Sequence, residues 1–234
     1  MSQINKVENI KKLFALQLKK EELAFIYLGF SGIIFRTSTK AIMIDPANSL
    51  KNEDIKHLDG IDLVLFTHNH GDHYSLIETL EIFKTTGAPI LAESLVAENL
   101  KGKIPVEKLT SAILGTAFTL HDITVKVIQG IHRGPICLYQ IQIGDLSIFH
   151  GGDSGYVTVK DYPSNLAFLP MGSPSPTASP DNAFKMAADI KPSIVVVIHG
   201  SLEQSKEFAA KIKNNIPNMT VIIPEPYALK IITL

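Results

Sequence analysis

Thr67-His68-Asn69-His70-Gly71-Asp72-His73 places three imidazoles and a carboxylate in one short turn. Imidazole and carboxylate groups are ligands for zinc, iron and manganese, so His68, His70, Asp72 and His73 are read first as metal ligands. His68 and His70 stand two apart and, in an extended segment, project to the same face, which suits one ion. Gly71 is expected to adopt backbone angles that other residues avoid, turning the chain so that Asp72 and His73 face a second ion nearby. A polar surface turn would also tolerate these residues. Four ligand-type residues at the end of an apolar strand are nevertheless far more specific than a lone short motif.

The remaining ligand-type residues also follow strand-like runs. His132 lies in Gly130-Ile131-His132-Arg133-Gly134-Pro135, Asp153 in His150-Gly151-Gly152-Asp153, and His199 in Ile198-His199-Gly200 after the strongest apolar strand. His150 is read as a structural or supporting histidine on an apolar strand, and His57 and His121 as surface residues. Arg133 could hold an anionic substrate through paired hydrogen bonds, or be an exposed loop arginine. Cys137, at a strand start without a Cys or His partner of its own, reads as buried.

Positioning these residues requires two sets of strands. Spacing of Ile4, Val7, Ile10, Leu13, Phe14 and Leu18 predicts an amphipathic helix within residues 1–22, packed on the rest. An antiparallel meander is expected over Leu23 to Leu28, Gly32 to Arg36 and Ala41 to Ile44, followed by a strand from Ile61 to Thr67 and a helix from Leu76 to Thr86 closed by Gly87. A short strand starts at Pro89. A second sheet is read in Phe118 to Ile128, Leu138 to Ile143, Leu146 to His150, Leu166 to Leu169 and Ile194 to Ile198, with helices over Pro180 to Ile190 and Leu202 to Asn214. Closing strands fall near Val221 and Ile231. The Gly172-to-Pro180 stretch reads as a loop over a site rather than a linker. A faint internal symmetry runs through the chain, since each half has a strand leading to a carboxylate, Asp45 in one and Asp153 in the other.

With 234 residues, 45% of them hydrophobic and 19% charged, the chain is long enough for a substantial core, and one domain spanning 1–234 is expected. The 22 basic and 23 acidic side chains nearly cancel, which argues against a nucleic-acid partner and against an anionic membrane surface. One cysteine excludes an intramolecular disulfide framework. With neither a signal-peptide pattern nor an apolar run of bilayer length, a cytoplasmic enzyme with a small-molecule substrate is expected, and a homo-oligomer stays open.

His68, His70, Asp72 and His73 form the H-x-H-x-D-H signature that resembles the metallo-β-lactamase fold superfamily. Within it, Tyr27-Leu28-Gly29-Phe30-Ser31-Gly32, Ile42 to Pro46 and His150 to Asp153 are similar to the small single-domain group that contains the ascorbate-phosphate lactonase. The resemblance covers nearly the whole chain. It implies a four-layer αβ/βα sandwich of two mixed β-sheets flanked by helices. It further implies that His68, His70 and His132 hold one metal, that Asp72, His73 and His199 hold another, and that Asp153 bridges them. In relatives the residue at Asp45 often supports the metal-binding loop, although an Asp-Pro turn would look the same; Thr67 is a second such candidate. Phe30 stands where related sequences often carry His, and is, with Arg133, a weak candidate for substrate contact.

The expected cofactors are two divalent metal ions, zinc first, with manganese or iron as alternatives. Two cations about 3.5–4 Å apart can share a water and lower its pKa from about 15.7 to about 7, supplying hydroxide at neutral pH. The expected reaction is hydrolysis of a small ester, lactone, amide or phosphoester by that bridging hydroxide, with Asp72 orienting it. A phosphodiesterase or nuclease, an iron-dependent oxidoreductase and a metal-stabilised binding protein are the competing readings.

Overall fold

Ile42-Met43-Ile44, Leu63-Val64-Leu65-Phe66 and Ile194-Val195-Val196-Val197-Ile198 are apolar at every position rather than every second one. That is the pattern of parallel strands buried on both faces. The computed structural model of the chain describes residues 5–234, and in it these runs are buried strands of two mixed seven-stranded sheets. The chain divides into two compact units, one running to Ser111 and including Glu225–Leu234, the other comprising Ala112–Pro224.

The first unit holds β1 (Glu22–Gly29), β2 (Gly32–Arg36), β3 (Ala41–Ile44), β4 (Leu63–Phe66), β5 (Ile90–Ala92) and β6 (Leu109–Ser111). The second holds β7 (Ala117–Leu120), β8 (Ile123–Gln129), β9 (Cys137–Ile143), β10 (Leu146–His150), β11 (Leu166–Pro170), β12 (Ile194–Ile198) and β13 (Thr220–Ile222). The last strand, β14 (Leu229–Thr233), returns to the first unit and pairs antiparallel with β1. Strand orders are β14-β1-β2-β3-β4-β5-β6 and β13-β12-β11-β10-β9-β8-β7.

Both sheets follow one rule. From β14 to β3 pairing is antiparallel and from β3 to β6 it is parallel. From β7 to β10 it is antiparallel and from β10 to β13 it is parallel. The symmetry read in the sequence therefore has a structural counterpart: β3 and β10 occupy the same place, where antiparallel pairing gives way to parallel, and each leads into its carboxylate.

In the first unit α1 (Lys6–Ala15), α3 (Leu76–Thr86) and α4 (Ser94–Leu100) contribute Ile10, Leu13, Ile82, Val96 and Leu100 to one core with Ile26, Ile34, Met43, Val64 and Phe66 of the sheet; the short α2 (Asn52–Ile55) adds Ile55. In the second, α5 (Pro180–Ile190) and α6 (Leu202–Asn215) place Met186, Ile190, Phe208 and Ile212 against Phe149, Ala167, Leu169, Val195 and Val197. Helix starts carry side-chain caps: Ser75 accepts from the Glu78 amide, and Ser201 with Gln204 forms a capping box. Among the described residues no helix is long and apolar enough to cross a membrane.

Three expectations change. The amino-terminal helix spans Lys6–Ala15, not most of residues 1–22, and Ile4 lies outside the described residues. Leu16 takes an extended backbone there, and the Arg36 guanidinium of β2 donates to the carbonyls of Leu13 (2.7 Å), Phe14 (2.9 Å) and Leu16 (3.3 Å). A long-range partner thus satisfies the helix end. The run from Phe118 to Ile128 is not one strand but the hairpin β7–β8, with Leu120 opposite Ile123 and His121 in the left-handed region at φ 51°. A two-residue His-Asp turn lacks the Asn-Gly or Gly signal that would have marked it. Ser94–Leu100 and Leu109–Ser111, too short to show a clear hydrophobic period, form helix α4 and strand β6, which the sequence does not announce.

Arg36→Met keeps the side chain's apolar stem but strips three carbonyls of their donor, so it should destabilise the protein by about 1–3 kcal/mol. Urea unfolding at constant m-value checks this; a change within about 0.5 kcal/mol would show that the helix end needs no such partner.

Candidate metal ligands in each unit

Strand β4 delivers the His-rich turn, and Asp45, just past the end of its neighbour β3, holds it. The Asp45 amide donates to the Leu65 carbonyl at 3.0 Å, tying the residue to β4. Its carboxylate accepts from the Thr67 amide at 2.8 Å on Oδ1 and from the Thr67 hydroxyl at 2.6 Å on Oδ2. Oδ2 also lies 2.8 Å from His73 Nδ1, which donates to it. Because Thr67 gives its one hydroxyl proton to Asp45, its oxygen is left to accept from His68 Nδ1 at 3.1 Å. One buried carboxylate therefore sets the orientation of two rings, one directly and one through a hydroxyl. Asp45, Thr67, His68 and His73 are all buried.

The rings these contacts hold are close together. His68 and His70 have centroids 4.5 Å apart at 76°, and His68 and His73 have centroids 4.0 Å apart at 51°. Asp72 is partly open to solvent, its side chain 28% exposed, with Oδ2 3.8 Å from His73 Nε2. The expected part of Gly71 is corrected: it lies outside the left-handed region and a Cβ there would meet open space. The turn is instead closed by the His73 and Tyr74 amides, both donating to the His70 carbonyl at 2.9 Å. Burial pushes the Tyr74 hydroxyl up to about 12, so it stays protonated and donates to Asn99 Oδ1 at 2.7 Å.

In the second unit Asp153, His132 and His199 converge. Asp153 Oδ2 lies 3.4 Å from His132 Nε2 and 3.6 Å from His199 Nε2. One carboxylate oxygen thus stands beside the same nitrogen of both rings. His132 is brought there by clamps on Ile131, whose amide donates to Ser154 Oγ at 2.8 Å and whose carbonyl accepts from the Gly155 amide at 2.8 Å. His199 ends β12 in the left-handed region at φ 43°, a rare conformation for a residue with a side chain.

The Gly172-to-Pro180 loop holds all three residues. The Gly172 carbonyl accepts from His199 Nδ1 at 3.1 Å, and Ser175 Oγ donates to the Asp153 carbonyl at 2.7 Å. Thr177 Oγ1 is 3.0 Å from His132 Nδ1 and 3.3 Å from the Asp153 carbonyl. With its proton directed at that carbonyl, the Thr177 oxygen accepts from His132, as Thr67 does from His68 in the other unit. Gly172 suits its place because its φ is 143°, which L side chains rarely adopt, and a Cβ would also displace the Gln204 side-chain amide. The stretch that reads as a loop over a site brings its backbone and hydroxyls to His132, Asp153 and His199. Ser175 and Thr177 went unnamed at the sequence level, where only the Ser and Thr content of the loop pointed to them.

The other candidates fall outside these groups. His150 is fully buried and its Nδ1 accepts from the Gly152 amide at 3.2 Å, shaping the turn into Asp153. Phe30 is exposed at the β1–β2 turn, and Arg133 is exposed in the loop that carries His132. Cys137 is buried and His121 exposed, as read.

The donor set fits divalent metal ions. Of the five histidines, His68, His73, His132 and His199 each engage Nδ1 with a protein oxygen, which makes Nε2 the nitrogen each would present to an ion. Metal-ligating histidines are held in this way, the second nitrogen fixing tautomer and ring plane.

Comparison with known proteins agrees with this geometry. The family model described as the Beta-lactamase superfamily domain matches residues 40–200. A protein named UPF0173 metal-dependent hydrolase from Staphylococcus carnosus (strain TM300) is 26% identical over 211 residues, 80% of this chain and 90% of that one. Among solved structures, the metallo hydrolase Igni18 from Ignicoccus hospitalis superposes with a TM-score of 0.75 at 22% identity, covering 91% of this chain and 99% of that one. The metallo-beta-lactamase fold protein YhfI from Bacillus subtilis superposes with a TM-score of 0.69 at 14% identity, covering 90% and 99%. Each sheet and its helices accord with that fold, and the chain belongs to the metallo-β-lactamase superfamily, as a metal-dependent hydrolase.

Proposed function

We propose that His68, His70, Asp72, His73, His132, Asp153 and His199 hold two divalent metal ions, zinc first, and that the enzyme hydrolyses a small ester, lactone, amide or phosphoester. The observation that carries this reading is the engagement of Nδ1 on four rings by Asp45, Thr67, Thr177 and the Gly172 carbonyl. A polar surface turn would have no need of buried partners that select one tautomer.

When bound, such ions supply Lewis acidity and make a nucleophilic water available near neutral pH. The chain's own residues do the rest. Asp45 and Thr67 fix the planes of His73 and His68, so that neither ring reorganises as charge develops. Asp72, partly exposed beside His73, is the carboxylate placed to orient the attacking water and take its proton. Asp153, with one oxygen beside two rings, would hold the ions together with His132 and His199. Exposed Arg133 and Phe30 are proposed to contact substrate, Arg133 offering its guanidinium to an anionic group. The balance of 22 basic and 23 acidic side chains favours a small substrate over a polynucleotide.

His68→Ala and Asp153→Ala should each abolish hydrolysis of a panel of esters, lactones and phosphodiesters and lower the metal content found by elemental analysis. Full activity with an unchanged metal content in either variant would contradict the assignment.

Asp45→Asn should weaken zinc binding by roughly 10–100-fold, because it alters the partners of both Thr67 and His73. Competition with a chromophoric chelator measures the change, and wild-type affinity would show that Asp45 only shapes an Asp-Pro turn. Thr177→Val should lose zinc affinity on the same scale, roughly 10–100-fold, while Thr177→Ser keeps it, because the hydroxyl rather than the methyl is what His132 needs. Equal affinities for the two Thr177 variants would remove the hydroxyl from the account.

A further inference from the structure

Between β3 and α2 the chain runs through Asp45-Pro46-Ala47-Asn48-Ser49-Leu50 without a glycine, yet three of these residues are left-handed. Asp45 has φ 44°, Ala47 φ 32° and Asn48 φ 51°. Asp and Asn enter this conformation more readily than other side-chain-bearing residues, but alanine seldom does, and a run of three persists only where its surroundings over-determine it. Asp45, the residue that orients His73 and Thr67, is the first of the three.

The surroundings are specific. Glu78, in the first turn of α3, is 6% exposed and points both carboxylate oxygens at this segment. Oε2 accepts from the Asn48 amide and Oε1 accepts from the Leu50 amide at 2.7 Å. Lys6 of α1 donates to the Ser49 carbonyl at 2.7 Å and pairs with Asp54 at 3.3 Å. Asn48 Nδ2 reaches the Gly71 carbonyl in the His-rich turn at 3.4 Å. A first-turn glutamate serving only the helix dipole would lie at the surface. This one is buried, and burial pushes its carboxyl above the ordinary glutamate range despite the amide bonds and Lys6.

We propose that Glu78 is a positioning residue for the metal-binding turn: by taking the Asn48 and Leu50 amides it holds the left-handed segment in the shape that lets Asp45 grip Thr67 and His73. Its carboxylate bonds the Asn48 and Leu50 amides, and it acts through Asp45. Two separate oxygens accept from two separate amides, so glutamine is no substitute. Its NH2 would face one of the amide donors. The inference rests on the reading of His73 as a metal ligand only for its effect on metal binding, not for its effect on the segment.

The test uses the full chain as Glu78→Ala, Glu78→Gln and Ala47→Gly/Glu78→Ala. In metal-free protein, hydrogen exchange at the Thr67 amide, which donates to Asp45, and at the Leu50 amide should be at least about tenfold faster in Glu78→Ala, with β12 amides unchanged. Glu78→Gln should fall between it and wild type. The double variant should recover Thr67 protection, because glycine at 47 adopts the left-handed conformation without strain. Zinc affinity by chelator competition should follow the same order, with a loss of about tenfold or more in Glu78→Ala. Unchanged Thr67 exchange with zinc affinity within about twofold of wild type would overturn the proposal. Faster exchange confined to α3 would also overturn it, by reducing Glu78 to a helix-start residue. If Glu78→Ala does not fold, Glu78→Gln, which keeps the side chain's size, carries both measurements. A wild-type protein that takes up no zinc would remove the metal reading, while Thr67 exchange would still decide the role of Glu78.

Discussion

Everything proposed for the His-rich turn depends on the carboxylate of Asp45, which takes the Thr67 amide, the Thr67 hydroxyl and His73 Nδ1 in a buried position. An imidazole is a dependable ligand only when its plane and tautomer are fixed, and a buried carboxylate fixes both at the cost of its own desolvation. The three donors on Asp45 offset that cost. Through the Thr67 hydroxyl the same carboxylate reaches His68, so one side chain governs two rings. In the second unit the Asp153 backbone carbonyl and Thr177 stand in the same relation to His132. A threonine hydroxyl passes orientation to a histidine in both.

The sheets explain why the carboxylates sit where they do. At β3 and at β10 antiparallel pairing changes to parallel, and the chain beyond the C-terminal end of each strand is released to form a loop rather than a hairpin. Loops at the C-terminal ends of parallel strands are where α/β sheets place ligands. These loops carry backbone strain: Asp45, Ala47 and Asn48 in the first unit and His199 in the second are left-handed, a conformation costing on the order of 1–3 kcal/mol for a residue with a side chain. Glu78 and the Gly172 carbonyl lie against these residues, which ties the ordering of the candidate ligands to contacts that are distant in sequence.

That distance separates what could be read in the sequence from what could not. His68, His70, Asp72 and His73 are legible because their spacing is local and their chemistry is unusual for a turn after an apolar strand. Strands such as β3, β4 and β12 are legible because burial on two faces writes continuous apolar runs. The hairpin at His121-Asp122 was missed because its left-handed residue is not glycine or asparagine, and the end of α1 because Arg36 caps it from another strand. Gly71 was credited with a turn that two amide bonds to His70 make. Ser175, Thr177 and Glu78 were invisible for one reason: each is an ordinary loop or helix residue until the fold brings its oxygen to a partner far along the chain.

Whether the candidate ligands hold two neighbouring ions is tested most directly by X-ray absorption on the wild-type protein purified with its metals retained. Two neighbouring ions should give nitrogen and oxygen scatterers from imidazole and carboxylate, together with a metal–metal scattering path at about 3.5–4 Å. A single isolated ion per chain, or a spectrum without histidine scattering, would contradict the two-ion reading.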